Sequence, residues 1–216
     1  MRMNKDEFAG LVLDACKKME DRGMTVGTWG NISVKVNDET FLITPSGMSY
    51  GCLKIDDIVM ADMEGNTIDS KRKPSIEHAL HRMIYKHRSD VGAVIHTHPQ
   101  YSTAFAIARK DVPAVSEELV QIIGEGVKCA KYALPGTEEL AINVVEALGN
   151  SNAVLLANHG AVCVGSNLSD AFKVAEVLEK SAKTIIMATI IGTPQVISHE
   201  ECLKMQDFVK NHYGQK

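Results

Sequence analysis

The sequence reads Ala-Val-Ile-His-Thr-His from residue 93 to residue 98. The segment from Val91 to Thr97 is apolar, which predicts a buried β-strand that ends at the two histidines. Side chains two positions apart project from the same face of a strand, so the imidazoles of His96 and His98 can bind one metal ion. Two histidines at a strand end are also typical of a polar edge that faces solvent, so the pair alone does not establish a metal site.

Strand-length and helix-length apolar segments alternate irregularly on both sides of this strand. A hairpin is predicted between Asn31 and Thr44 with its turn at Asn37-Asp38, and further strands are predicted at residues 58–63, 153–157 and 161–164. Helices are predicted at residues 8–19, from Ser75 onward, and at residues 100–109, 138–148, 168–191 and 199–211. This pattern favours an α/β protein, a three-layer α/β/α sandwich around a central, mainly antiparallel sheet. With 216 residues and no linker-like segment, the chain is expected to form a single domain over residues 1–216.

The composition limits the classes of partner that the protein is expected to bind. A net charge of -4 provides no basic field that would attract a nucleic-acid backbone. The first residues lack the apolar core of a secretory signal, and no apolar run reaches the roughly 18 residues that a membrane span requires. We therefore expect a cytoplasmic protein without nucleic-acid or membrane partners.

A third histidine and a glutamate are further candidates for a metal site. His159 follows the predicted strand at residues 153–157, and three histidines from two strand ends leave a fourth position open, as a catalytic zinc site requires. In the other interpretation, His159 is a structural turn residue. Glu77 either complements the helix dipole at the surface or, if the helix start faces the histidines, binds the metal and then acts as a base. Glu77 and His81 form a competing pair of ligands, which ranks lower because no HExxH pattern is present.

Two short turns rich in glycine and hydroxyl groups precede this helix. They read Gly-Thr-Trp-Gly-Asn at residues 27–31 and Thr-Pro-Ser-Gly at residues 44–47. Backbone N–H groups in such turns bind anions, and a helix start at Ser75 adds a favourable dipole, although a single turn of this kind usually has no ligand. The candidate phosphate-binding residues are Thr28, Gly30, Asn31, Ser46, Gly47 and Ser75.

Five motifs together give the sequence a specific resemblance. They are GTWGNIS at residues 27–33, ITPSGM at 43–48, KPSIEH at 73–78, AVIHTH at 93–98 and NHG at 158–160. With these motifs the chain resembles the class II aldolase/adducin family over nearly its whole length. The resemblance implies a zinc ion, with manganese or cobalt as alternatives, bound by His96, His98 and His159. It also implies that Glu77 is the catalytic glutamate and a metal ligand.

The resemblance further implies a substrate and an assembly. The substrate phosphate would bind at Asn31, Ser46, Gly47 and Ser75, and Tyr213 would complete the site of a neighbouring subunit. The implied assembly is a homotetramer with the site at a subunit interface. The implied reaction is retro-aldol cleavage of a ketose 1-phosphate, fuculose-phosphate-like or deoxypentulose-phosphate, to dihydroxyacetone phosphate and an aldehyde.

Two positions depart from the family pattern. Ile76 stands where the family has a second serine, which removes a hydroxyl from the phosphate region. Glu117 and Glu118 stand where the family has a catalytic tyrosine, so one of these carboxylates would exchange a proton with the leaving aldehyde. Other members of the family are sugar-acid-phosphate decarboxylases, methylthioribulose-phosphate dehydratases or non-catalytic adducin-like interaction modules. The three histidines count against a non-catalytic module, and Glu77 favours aldol chemistry or decarboxylation.

Overall fold

The computed structural model describes residues 4–68 and 70–212, and within them an eight-stranded sheet forms the middle layer. Its strands are β1 (Asn31–Lys35), β2 (Thr40–Ile43), β3 (Val59–Asp62), β4 (Thr67–Ile68), β5 (Ala93–Thr97), β6 (Cys129–Ala130), β7 (Ala153–Leu156) and β8 (Gly160–Gly165). They lie in the order β4-β3-β2-β1-β5-β8-β7-β6. Each neighbouring pair of these described strands is antiparallel except β6 and β7, which are parallel. The predicted, mainly antiparallel sheet is therefore confirmed.

Helices cover both faces of the sheet. They are α1 (Lys5–Asp21), α2 (His78–His87), α3 (Gln100–Ala108), α4 (Glu117–Ile122), α5 (Glu138–Leu148), α6 (Leu168–Ile191) and α7 (His199–Asn211), with short 3-10 helices at Tyr50–Cys52 and Ile55–Asp57. One buried core lies between the sheet and α2 and α5, and a second core lies between the opposite face and the other α-helices. These layers form the α/β/α sandwich that the sequence predicts. Among the described helices, none is both long enough and apolar enough to cross a membrane.

The pleat of the central strands decides which side chains face α2. Ile95 of β5 belongs to the core beneath α6, whereas Val94 belongs to the core beneath α2 and α5. His96 lies two positions after Val94 and therefore faces α2 as well. It is paired with Asn31 of the neighbouring strand β1. The candidate site is thus built where β1 and β5 meet the start of α2.

The start of α2 differs from the prediction. The helix begins at His78 with Glu77 as its N-cap residue, not near Ser75. The N–H of Ser75 donates to the carbonyl of Thr44 over 3.0 Å, and the Ser75 carbonyl accepts from His78 N over 3.1 Å, so residues 75–78 form a separate turn before the helix. Consequently, Ile76 does not lie on the apolar face of the helix and is 61% exposed.

The shortest elements were not predicted. Strands β4 and β6 have two residues each, and α4 has six. Segments of this length are too short to show a helical or strand period. The single domain expected over residues 1–216 stays a prediction.

Candidate metal and active site

Three histidines meet at the end of the central strand. His96 lies in β5, His98 follows that strand directly, and His159 lies in the turn between β7 and β8. Their ring centroids are 4.7 to 4.8 Å apart. One nitrogen atom from each ring lies within 4.8 Å of the others. This spacing places three imidazole nitrogens around one point, as the ligands of a single ion would be.

Hydrogen bonding decides which nitrogen of His96 faces this point. Its Nδ1 lies 3.0 Å from the carbonyl oxygen of Ala161, which only accepts, so Nδ1 carries the hydrogen and Nε2 presents a lone pair. That Nε2 lies 2.9 Å from Nε2 of His98. Two ring nitrogens at this distance need a proton or a cation between them. A third imidazole beside them favours a metal ion.

Burial keeps all three rings neutral near physiological pH. Loss of hydration lowers the pKa of His96 to about 4, and it is the main reason why the pKa of His159 falls to about 4. Burial lowers the pKa of His98 to about 3, and the neighbouring His96 and His159 add to the effect. Neutral imidazole is the form that binds metals, so the three candidate ligands are in the required state.

Glu77 faces the same point from the start of α2. Its buried carboxylate has Oε2 3.3 Å from Nε2 of His96 and Oε1 3.9 Å from Nδ1 of His159. Oε2 also accepts a hydrogen bond from Nδ2 of Asn31 over 2.8 Å. Oε1 has no hydrogen-bond partner among the described residues. An unpaired buried carboxylate oxygen is costly, and here it lies beside three imidazoles, an arrangement that suits a divalent ion.

The turn that carries His159 is held tightly. Asn158 has a φ of 58°, in the left-handed region that asparagine tolerates better than most residues. Its Oδ1 accepts a hydrogen bond from Nε of Arg109 over 2.9 Å. A side chain at Gly160 would collide with the carbonyl of Thr97, so only glycine allows β8 to pass so close to β5 here. The position of His159 is therefore set by the backbone on both sides.

A cavity of about 200 Å³ opens in front of these groups. All the candidate phosphate-binding residues line it, together with Glu77, His98 and His159. His96 lies beneath it and is fully buried. A larger cavity of about 330 Å³ lies elsewhere, beside Asp170, and is lined by none of these groups. The structure thus brings the candidate metal ligands and phosphate residues together, while their roles stay predictions.

Two backbone hydrogen bonds join the loops that flank the cavity. Ser46 N donates to the carbonyl of Lys73, and Ser75 N donates to the carbonyl of Thr44, each over 3.0 Å. These two N–H groups are used within the protein and are not available to an anion, whereas the expectation for the other N–H groups of these turns stays a prediction. The donors that Ser46 and Ser75 can offer to a phosphate are therefore their hydroxyl groups.

The remaining loop passes directly over β5. Gly30 has a φ of 77°, and a Cβ at this position would lie 2.6 Å from the carbonyl oxygen of His96. The hydroxyl of Tyr50 donates to the carbonyl of Gly30 over 2.5 Å and ties the loop down. This close approach, which only glycine permits, holds Thr28 and Asn31 beside the histidines.

The structure adds three buried polar residues to the site: Ser33 and Tyr85, which the sequence did not assign to it, and His81, which the sequence offered only as a competing metal ligand. Nε2 of His81 lies 2.5 Å from Oδ1 of Asn31, and Nδ1 lies 2.6 Å from Oγ of Ser33. That Oγ lies 2.7 Å from the hydroxyl of Tyr85. Burial lowers the pKa of His81 to about 3 and raises the pKa of Tyr85.

This arrangement contradicts the competing prediction that Glu77 and His81 bind one ion, because both ring nitrogens of His81 are used by Asn31 and Ser33. The available signal was the polar residues at positions 31 and 33 of an otherwise apolar strand, opposite a helix that carries polar residues at positions 81 and 85.

Comparison with known proteins places the chain in a family. The family profile described as "Class II Aldolase and Adducin N-terminal domain" matches residues 11–186. The chain belongs to this family. One relative is a 5-deoxy-D-ribulose 1-phosphate aldolase from Bacillus thuringiensis serovar kurstaki. It is 37% identical to this class II aldolase/adducin chain over 203 residues, which cover 93% of each protein. An L-fuculose phosphate aldolase from Methanocaldococcus jannaschii is 37% identical over 189 residues, 88% of this chain and 99% of that protein. The solved structure of an L-fuculose 1-phosphate aldolase has a TM-score of 0.93 and 36% identity, and covers 97% of this chain and 99% of that one.

Glu117 and Glu118, which were also predicted for the site, do not line the cavity described above. Glu118 lies in the first turn of α4, where its Oε2 pairs with Nζ of Lys180 over 2.6 Å. It lines a separate cavity of about 220 Å³. Glu117 is exposed in the same turn. Tyr213 lies outside the described residues, and the roles expected for all three stay predictions.

Proposed function

We propose that this protein is a zinc-dependent aldolase that cleaves a ketose 1-phosphate between C3 and C4 to dihydroxyacetone phosphate and an aldehyde. The proposal rests on one observation: three neutral histidines and one carboxylate converge beneath a cavity lined with hydroxyl groups. The relatives at 37% identity support it, since both are named as aldolases of sugar phosphates.

The ligand set favours zinc. Three imidazoles with room for one more ligand are typical of catalytic zinc sites, and manganese or cobalt binds similar ligands. A divalent ion held by His96, His98 and His159 would supply Lewis-acid stabilisation of the negative charge that develops as the C3–C4 bond breaks.

Neutral donors bind the phosphate in this proposal. Among the described residues that line the cavity there is no lysine or arginine. The hydroxyls of Thr28, Ser46 and Ser75 therefore bind the phosphate oxygens, and the N-terminal end of α2 adds its positive dipole. Phosphate binding at this end points the sugar carbons toward the histidines.

Glu77 transfers the proton at C3. It is the only carboxylate among the described residues that line the cavity. Asn31 holds Oε2, whereas Oε1 has no partner among the described residues and can accept or return a proton. In its protonated form Glu77 donates a proton to C3 of the enediolate, which gives dihydroxyacetone phosphate, and as a carboxylate it removes that proton in the reverse direction.

A second group must exchange the proton of the C4 hydroxyl, and we assign it to Glu117 or Glu118 of a neighbouring subunit, with Tyr213 completing the site. The assembly is a homotetramer with its sites at subunit interfaces. The mouth of the cavity supports this assignment, because Trp29 and Ile76 are 64% and 61% exposed there. Exposed apolar surface around a pocket is typical of an interface.

Metal analysis combined with an activity assay tests the proposed function. Purified protein is analysed for bound metal, then assayed for dihydroxyacetone phosphate release from 5-deoxyribulose 1-phosphate, fuculose 1-phosphate and other ketose 1-phosphates, with and without a chelator. Chelator-sensitive release is expected. Bound metal without release from any of them would favour a sugar-acid-phosphate decarboxylase or a methylthioribulose-phosphate dehydratase. Protein without metal would favour an adducin-like interaction module.

A mixing experiment tests whether subunits share a site. Glu77→Gln removes the base, and the double variant Glu117→Gln with Glu118→Gln removes the second group, so each preparation alone should be inactive. In mixed tetramers, random assortment pairs an intact Glu77 with an intact neighbouring glutamate in about a quarter of the sites, and that share of activity should return. Mixed tetramers that stay inactive would exclude a shared site.

A further inference from the structure

A line of buried polar side chains leads from Glu77 into the space between β1 and α2. Its members, in order, are Glu77, Asn31, His81, Ser33 and Tyr85, and consecutive members are 2.5 to 2.8 Å apart. Each has an exposed fraction of 6% or less. Of these residues, only Glu77 and Asn31 line the cavity. The other three therefore act on a substrate only through their neighbours.

The hydrogen bonds in this line have one consistent direction. A carboxylate only accepts, so Asn31 turns its Nδ2 toward Glu77 and its Oδ1 toward His81. An amide oxygen also only accepts, so Nε2 of His81 must carry the hydrogen. In the neutral ring Nδ1 then accepts from the hydroxyl of Ser33, which in turn accepts from Tyr85.

The amide of Asn31 is the group in this line that can adopt a second orientation. Its oxygen and nitrogen ends have nearly the same shape, so a half-turn of the amide would place Oδ1 against the carboxylate of Glu77. The N–H of His81, 2.5 Å from Oδ1, opposes that rotation because the rotated amide would face it with a second donor. Fixing this amide keeps Oε2 of Glu77 bonded and directs Oε1 toward the histidine cluster.

We propose that His81 is a positioning residue for Glu77, because its Nε2–H fixes the amide of Asn31 and Asn31 holds the carboxylate in place for proton transfer. Ser33 and Tyr85 select the tautomer of His81 that can do this. The kinetic consequence rests on the proposed function, whereas the hydrogen-bond order does not. Outer residues that orient catalytic or metal-binding side chains typically change activity by about 10- to 100-fold when they are replaced.

Two substitutions at His81 separate positioning from packing. His81→Leu removes the donor, and His81→Gln keeps an N–H group near the position of Nε2. We expect kcat to fall about 10- to 100-fold in His81→Leu with KM and bound zinc unchanged, and to recover in His81→Gln. The matched control is the same pair of substitutions at His87, an exposed residue of the same helix, which should leave kcat unchanged. Unchanged kcat in His81→Leu, or equal losses in the two His81 variants, would overturn the proposal.

Nitrogen-15 NMR of the zinc-loaded protein tests the hydrogen-bond order without turnover. The ring of His81 should be the Nε2–H tautomer, and Ser33→Ala should increase the share of the Nδ1–H tautomer. An Nδ1–H tautomer in the wild-type protein would overturn the proposal even if the protein is an active aldolase.

The NMR measurement also separates the two proposals. If the wild-type protein has no activity toward any ketose phosphate, the proposed function is excluded but the proposed hydrogen-bond order is not. Hydrogen exchange of the side-chain amide of Asn31 then tests the positioning role of His81. Faster hydrogen exchange of this amide in His81→Leu than in the wild type supports the positioning role, and unchanged exchange overturns it.

Discussion

Replacement of Glu77 with glutamine tests the proposed chemistry most directly. The two side chains have the same shape, so the amide oxygen of glutamine can take the place of Oε2 and keep the 2.8 Å hydrogen bond from Asn31. The amide nitrogen then takes the place of Oε1, which has no partner among the described residues and lies 3.9 Å from Nδ1 of His159. One charge-assisted hydrogen bond becomes a neutral one, so we expect stability to fall by about 1 kcal/mol. The three histidine ligands remain, and zinc should stay bound.

Proton transfer should be lost in the same variant. Removal of a general base slows a reaction by about 100- to 10,000-fold, which corresponds to about 3 to 5 kcal/mol in the activation barrier. The assay is the exchange of the C3 proton of dihydroxyacetone phosphate for deuterium, followed by proton NMR, and it needs no knowledge of the aldehyde. Glu139→Gln, at an exposed position of α5, is the control. Exchange at the wild-type rate by zinc-loaded Glu77→Gln would refute the role of Glu77.

Three further predictions concern the ligands, the buried histidine and the glycine loop. His98→Ala should bind less than one zinc per subunit by elemental analysis, whereas His87→Ala should bind zinc normally; a full zinc content in His98→Ala would contradict the ligand assignment. Burial lowers the pKa of His81 from an ordinary value of 6.5 to about 3, and the nearby His96 and His78 act in the same direction. As pH falls from 6.5 toward 3, the unfolded chain therefore binds a proton at this residue that the folded chain does not bind. In metal-free protein this residue should lower the free energy of unfolding by about 1.4 kcal/mol for each unit that the pH falls in this range. Urea unfolding should show that the free energy of unfolding of His81→Gln depends less on pH by the same amount. Gly30→Ala should lower the melting temperature because its Cβ would lie 2.6 Å from the carbonyl oxygen of His96, whereas Gly10→Ala, with nothing within 4 Å, should raise it.

The starts of two helices could be predicted because polar side chains cap them. The helices predicted at residues 138–148 and 168–191 have the observed bounds Glu138–Leu148 and Leu168–Ile191. The side chain of Thr137 accepts from Leu140 N, and the side chain of Asn167 accepts from Asp170 N, so each cap is a local feature of the sequence.

The start of α2 could not be predicted in this way. Ser75 has the chemistry of an N-cap, and its Oγ does accept from Glu77 N over 3.3 Å. Its own N–H, however, is bonded to Thr44 in a distant loop. That bond holds Ser75 against another loop, whereas the helix begins at His78 with Glu77 at the cap position, where its carboxylate lies beside His96 and His159.

The candidate site shows the same division between local and long-range information. His96 and His98 lie two positions apart in a recognisable strand, so the sequence predicts that they point the same way. His81 carries no such signal, since a histidine on a helix beside Glu77 is equally compatible with a metal ligand. Only the partners of its two ring nitrogens, Asn31 and Ser33 on another strand, distinguish a positioning residue from a ligand.

The histidine cluster and the mouth of the cavity are built on different parts of this fold. His96 lies in β5 between β1 and β8, and its ring is bonded to the Ala161 backbone of β8, so a change in a loop leaves it in place. Trp29 and Ile76 lie on loops at the mouth of the cavity, where substitution disturbs little packing. The two relatives that are equally similar to this chain are named for different sugar phosphates. Overall similarity to these relatives therefore does not select a substrate for this chain.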